Sequence, residues 1–169
     1  MLQDTGYPTY SSVSKLLQCN THYYNLDENK HWNLNINELQ KFDLDEIKIL
    51  WLNYPNMPTG ALGDTDTIKQ LIALAKKHRF LIVNDNHYNQ LFTPPAFSFF
   101  QIEGAREVAI ELYSMSKSHN MAGWRLGWVA ANTDYIKSVL KVKSNMDSGM
   151  FLPIQKAAIK ALSLPADYY

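Results

Sequence analysis

Cysteine is nearly absent: Cys19 stands alone in 169 residues. An internal disulfide is therefore excluded, and a reducing compartment fits. Without a partner motif, such a residue is expected to be a small buried hydrophobe rather than a nucleophile. An excess of one charge is also lacking, because 16 basic residues balance 16 acidic ones. No basic stripe offers a footprint for nucleic acid. No apolar run approaches the ~20 residues that a membrane-spanning helix needs. Met1-Leu2-Gln3-Asp4 has neither a basic region nor an apolar core, so a cytoplasmic protein without a secretory leader is expected. The five histidines show no metal-ligand spacing, and no internal repeat or low-complexity linker is visible. His87 and His119 are expected to make local polar contacts. What remains is an ordinary globular composition, 46% hydrophobic, in a length that suits one domain with a proper core.

Along the chain, short apolar runs alternate with amphipathic stretches. Helices are predicted at 11–17, opened by serines, and at 66–78, 134–142 and 153–162, with a helical turn at 37–41. Helix 66–78 is the clearest. Ile68, Leu71, Ile72, Leu74 and Ala75 form its apolar stripe, Asp64, Thr65 or Asp66 can cap it, and Lys76-Lys77-His78-Arg79 suits its negative end. Strands are predicted at 47–53, 80–83, 108–113 and 125–131, with a weaker one at 22–26. An aromatic loop covers 91–101. The alternation argues for an α/β fold with a mainly parallel sheet flanked by helices.

Three segments carry chemistry, and each falls at or beside a predicted strand end. Asn53-Tyr54-Pro55-Asn56-Met57-Pro58-Thr59-Gly60 follows the first strand, and its prolines and glycine force a tight, non-helical turn. Asn84-Asp85-Asn86-His87-Tyr88 follows the second. A carboxylate at the carboxyl end of a buried strand faces the crevice where open α/β sheets bind ligands. Ser114-Met115-Ser116-Lys117 follows the third and leads to Gly123-Trp124-Arg125-Leu126-Gly127. A lysine that can lose its proton forms Schiff bases, while hydroxyls and a guanidinium nearby hold a phosphate. A lone lysine in a polar loop is usually only solvated, and a lone Asp at a strand end is usually a cap or turn residue. Three such segments in order leave chance a poor explanation.

Together they resemble the signatures of the class I/II aminotransferases, fold-type I enzymes that depend on pyridoxal 5'-phosphate. The resemblance implies that Lys117 carries the cofactor and moves a proton. It implies that Asp85 keeps the pyridine nitrogen protonated, making the ring an electron sink. Tyr88 would donate to the phenolic oxygen, and Ser114 and Arg125 would bind the phosphate with Ser116 assisting. Asp4-Thr5-Gly6-Tyr7-Pro8-Thr9-Tyr10 resembles a further family segment, in which Tyr7 would stack on the ring. Thr5 stands there in place of the usual Pro. In the N-x-P-N-N-P-T-G loop the second Asn, a donor to the phenolic oxygen, is Met57 here, which has no N–H to give. The contact is then missing, or supplied by Asn56 from a shifted backbone, or left to Tyr88 alone. Residues 143–149 resemble a loop near the active site at the dimer interface. The implied fold is a mixed sheet whose antiparallel strand is 125–131.

The resemblance covers nearly the whole chain but only the middle of the family's large domain. One partial domain, 1–169, is therefore expected, lacking the family's amino-terminal segment and its small domain. The arginine that grips the substrate's α-carboxylate would lie in that small domain. The intact protein is expected to transfer an amino group between an amino acid and a 2-oxo acid, as a homodimer. The chain alone is expected to be inactive. Carbon–sulfur lyase or acyltransferase chemistry on the same fold remains open. So does a catalytically silent truncated product that serves only in binding or assembly.

Overall fold

A computed structural model describes residues 1–4, 6–91, 98–165 and 168. Thr5, most of the expected aromatic loop and part of the chain's end lie outside the described residues. In chain order the elements are β1 (Leu2–Gln3), α1 (Pro8–Leu16), β2 (Tyr23–Tyr24), α2 (Ile36–Leu39), β3 (Ile49–Leu52), α3 (Thr65–His78), β4 (Leu81–Asp85), α4 (Ala105–Val108), β5 (Ala109–Ser114), α5 (Met115–Ser118), β6 (Gly127–Ala130), α6 (Thr133–Met146) and α7 (Leu152–Leu162). Short 3-10 turns link several of them.

The main sheet has the order β3-β4-β5-β6, with β3, β4 and β5 parallel and β6 antiparallel to β5. This is the mixed, mostly parallel sheet expected from the sequence, including its one antiparallel strand. Burial explains why it forms. Leu50, Leu52, Ile82 and Ala109 are buried in adjacent strands, and Ile68, Leu71, Ile72 and Ala75 of α3 pack into the same core. Those four recur at helical spacing, so one stripe of α3 seals a face of the sheet. Each fully buried Leu or Ile contributes about 1.5–3 kcal/mol relative to exposure. A second, small cluster of Met115, Met121 and Ala158 joins the lysine segment to α7.

Local chemistry shifted several predicted boundaries. The first helix opens at Pro8 rather than at the serines, because proline at the first helical position needs no N–H partner. The lysine segment is a short helix, α5, capped by the Ser114 hydroxyl, which accepts from the Ser116 N–H at 3.1 Å. α6 runs four residues beyond the predicted 142, so much of the expected 143–149 loop is helical. That helix ends at extended Asp147. The strand at 22–26 shrinks to a two-residue pairing with β1, which the sequence reading missed. Cys19 is exposed, against expectation. It sits just past the end of α1, where its backbone N–H reaches the Ser14 carbonyl.

Candidate active site at the carboxyl ends of the strands

Because β3, β4 and β5 are parallel, the loops after them emerge along one edge of the sheet. Those loops are the three chemistry-bearing segments. Asp85 ends β4 opposite Leu112 of β5, and Ser114 ends β5 two residues later. β6 runs the other way, so its first residue, Gly127, pairs with Ser114 and brings the Arg125 segment back to that edge. A Cβ at Gly127 would collide with the Tyr113 carbonyl oxygen, so only glycine permits this approach.

Asp85 is the best-anchored of the candidate residues. Tyr10 donates its hydroxyl to Oδ2 at 2.6 Å, and His87 Nδ1 lies 2.9 Å from Oδ1. A carboxylate only accepts, so that ring nitrogen carries the hydrogen. Asn53 Nδ2 donates to the Asp85 carbonyl at 2.7 Å. Burial first, then the Asp85 charge, pushes the Tyr10 hydroxyl well above the usual tyrosine range. Tyr10 therefore stays a neutral donor. Its ring stacks on Trp51 at 4.8 Å and meets Tyr7 edge-on at 5.9 Å. Each Asp85 oxygen still has acceptor capacity for a further N–H. His87, expected to be a local polar contact, touches the site carboxylate itself.

The proline loop is held from within. Asn53 Oδ1 accepts from the Met57 N–H at 2.8 Å, and the peptide bonds before Pro55 and Pro58 are cis. Asn56 is buried. Its Nδ2 goes to Gln3 Oε1 at 3.1 Å and to the Asn53 carbonyl, and its Oδ1 accepts from Thr59 Oγ1 at 2.8 Å. Both ends of its amide are thus taken up by the loop and Gln3. Tyr88 points its hydroxyl at Met57 Sδ, 3.3 Å away. The residue standing where the family has its donor is itself met by the other donor.

Lys117 is exposed on α5, and among the described residues nothing pairs with its amine. Ser114 still has its hydroxyl hydrogen to give, because its oxygen accepts from the Ser116 N–H. Arg125 adopts a left-handed backbone, φ 55°, and turns one N–H to the Ala122 carbonyl at 2.7 Å. No hydrogen bond joins it to Ser114 or Ser116 among the described residues. A cleft of about 910 Å³ opens beside this edge, with Tyr7, Tyr10, Trp51, Cys19, Asp85 and Leu112 in its wall. Asp85 and Tyr7 line it; Lys117, Tyr88, Ser114, Ser116 and Arg125 do not. Among the described residues no group of three or more His, Cys, Asp or Glu is arranged to hold a metal.

The donor set fits pyridoxal phosphate. Among the described residues it offers an unpaired lysine amine, an anchored carboxylate with spare acceptor capacity, a serine hydroxyl with its hydrogen to give, and a guanidinium with one N–H spent. The sequence profile of the family described as aminotransferase class I and II matches residues 1–168. An LL-diaminopimelate aminotransferase of Dehalococcoides mccartyi is 37% identical over 96% of this chain and 42% of its own length. The corresponding enzyme of Gloeobacter violaceus is 47% identical over 70% of this chain and 31% of its own. Among solved structures, substrate-bound BacF of Bacillus subtilis superimposes with a TM-score of 0.91 at 34% identity, covering 99% of this chain and 43% of that one. A probable N-succinyldiaminopimelate aminotransferase of Thermus thermophilus gives 0.90 at 30% identity, over 98% and 45%. The chain thus spans less than half the length of each of these proteins.

Proposed function

The chain belongs to the class I and II aminotransferase family, whose members depend on pyridoxal phosphate. From that premise we propose that it forms the cofactor-binding core of an enzyme that transfers an amino group between an amino acid and a 2-oxo acid. One observation carries the reading. Asp85, fixed by Tyr10 and His87, ends the strand beside the one that delivers Ser114 and Lys117.

Bound there, the cofactor supplies an aldehyde and an electron-accepting ring. Lys117 would hold the cofactor through its amine and would serve as the base that moves the proton at the substrate's α-carbon. Asp85 holds a proton on the ring nitrogen. Tyr10 and His87 keep both Asp85 oxygens in place, so the carboxylate needs little reorganisation when the ring arrives. Tyr88 is the donor to the phenolic oxygen once it turns from Met57. Ser114 and Arg125 grip the phosphate, with Ser116 beside them, and Tyr7 covers the ring. Asn56 acts as a strut of the proline loop.

The names of the relatives favour a diaminopimelate-class amino acid as the first substrate to test. A cytoplasmic homodimer of the whole protein belongs to the same reading. No described helix is long and apolar enough to cross a membrane.

The test is an absorbance spectrum of the whole protein with pyridoxal phosphate, followed by borohydride reduction and peptide mapping. The expected result is a band fixed on Lys117 and missing in Lys117→Ala. No band, or label on another lysine, would refute the assignment.

A further inference from the structure

Glu111 is a charged residue in the middle of β5 with 0% of its surface exposed. Among the described residues no cation pairs with it. Its partners are instead a ring of neutral donors. Ser98 Oγ donates at 2.5 Å and Tyr113 Oη at 2.7 Å, both to Oε2. The Phe99 N–H donates to Oε1 at 3.0 Å, as do Asn86 Nδ2 at 3.3 Å and, at the limit of bonding, Asn84 Nδ2 at 3.5 Å. The amide and backbone groups in this set can only donate, so they match an ionised carboxylate. A charge taken out of water is tolerated when its lone pairs are met in this way.

The donors come from the segments that build the site. Asn84 and Asn86 flank Asp85, and Asn84 lies opposite Glu111 in the strand register. Successive strand residues face opposite sides, so Asn84 reaches Glu111 from the side of the sheet away from the Asp85 carboxylate. Asn84 also clamps the proline loop, accepting from the Tyr54 N–H at 2.9 Å and donating to its carbonyl at 3.1 Å. Tyr113 stacks on Trp128 of β6 at 5.2 Å. Asn86 shows which contact dominates. Its Nδ2 faces Glu111 while its buried Oδ1 has no partner among the described residues. Turning the amide over would set oxygen against carboxylate oxygen, so the amide keeps the Glu111 bond and leaves Oδ1 unsatisfied.

We propose that Glu111 is a positioning residue for the cofactor site, holding Asp85 and the proline loop in register through Asn84 and Asn86 from the far side of the sheet. It touches no reacting atom. It fixes the chain on both sides of Asp85, while Tyr10 and His87 fix the carboxylate.

This inference rests on the cofactor reading above, and its test separates the two. The whole protein carrying Glu111→Gln is loaded with pyridoxal phosphate and titrated by absorbance, well below its melting temperature. Glutamine keeps the shape but loses the charge, and its N–H takes the place of an oxygen that accepted from both the Ser98 and Tyr113 hydroxyls, which must then turn to accept instead. Asp85 then holds the ring nitrogen's proton less firmly, and the nitrogen linked to Lys117 holds its own more firmly. The expected result is a titration midpoint raised by about one pH unit and cofactor affinity reduced about tenfold, as for outer-shell partners of bound groups. If Glu111→Gln does not fold, Asn86→Ala removes the shorter of the two amide links to the Asp85 corner and is expected to move the midpoint the same way. A folded variant with wild-type midpoint and affinity, even one with a lower melting temperature, would reduce Glu111 to a structural role and overturn the inference. Failure of the parent protein to attach the cofactor at Lys117 would instead end the reading on which it rests.

Discussion

Met57 is the residue at which this chain departs most plainly from the pattern it otherwise follows, and the structure gives the departure a partner. The Tyr88 hydroxyl is spent on the Met57 sulfur at 3.3 Å, a weak acceptor. Replacing Met57 with Asn in the whole protein restores an amide donor and releases the tyrosine. Hydrogen bonds to a charged oxygen favour the charged form. The cofactor's titration midpoint is therefore expected to fall, by about one pH unit for one such bond. An unchanged midpoint in the spectral titration would mean that the phenolic oxygen already has its donor. At this scale the sequence points to Asp85, Tyr88 and Lys117 through residue types that recur at fixed spacing. It was silent on contacts that only folding creates. Tyr10 reaches Asp85 across 75 positions of chain, and nothing in its local pattern announces this. Glu111 carries no local signal, because its ring of donors is gathered from three separate segments, 84–86, 98–99 and Tyr113. His87 was within reach, since it stands two residues from the carboxylate that it touches.

Helix α3 was the most legible element because its pattern and its packing agree. The predicted stripe is the buried face, and of the three capping candidates Asp64 is the one used. Its carboxylate accepts from the Thr67 N–H and hydroxyl, both at 2.7 Å. Those bonds, the backbone one first, hold the Asp64 carboxyl below its ordinary value of 3.8. A group whose folded value is depressed contributes stability above the unfolded value and loses it as pH falls through the folded one. Asp64→Ala is therefore expected to cost about 1 kcal/mol near neutrality. That difference should vanish in acid below 3.8. Urea unfolding of the two proteins at both pH values measures it, and a gap that persists in acid would show that the ionised cap is not its source. Elements set by long-range pairing were harder to read. The β1–β2 ladder is two residues long on each side, too short for any periodicity to register. The end of α6 was missed because Lys143, Ser144 and Asn145 look like loop residues, yet they continue the helix to Met146.

At the scale of the whole molecule, the apolar surface is divided unevenly. The core between the sheet and α3 is closed, whereas α6 buries none of its residues. Val139, Leu140, Val142 and Met146 face outward on α6, and Phe151 and Ile159 of the α7 segment are each 70% exposed. Apolar side chains left exposed along helices in this number are a place of association when they form a patch. The 169-residue chain, produced alone, is expected to self-associate as its concentration rises. Phe151→Ser with Ile159→Ser should weaken that association without unfolding the sheet, since neither side chain is in the core. Sedimentation velocity across a concentration series reads the effect. The same chain is not expected to sustain amino transfer. The reaction needs the substrate's carboxylate held so that its α-proton faces Lys117, and orientation of that kind is worth roughly 7–11 kcal/mol. On the proposed reading Lys117 serves the proton and Arg125 the phosphate, which leaves no cation of the candidate site, among the described residues, to grip the substrate. Steady turnover by the 169-residue chain, lost in Lys117→Ala, would show that it finds such a cation elsewhere on its surface or in a second copy. A monomer that stays monodisperse at high concentration would show that the α6–α7 face is not adhesive.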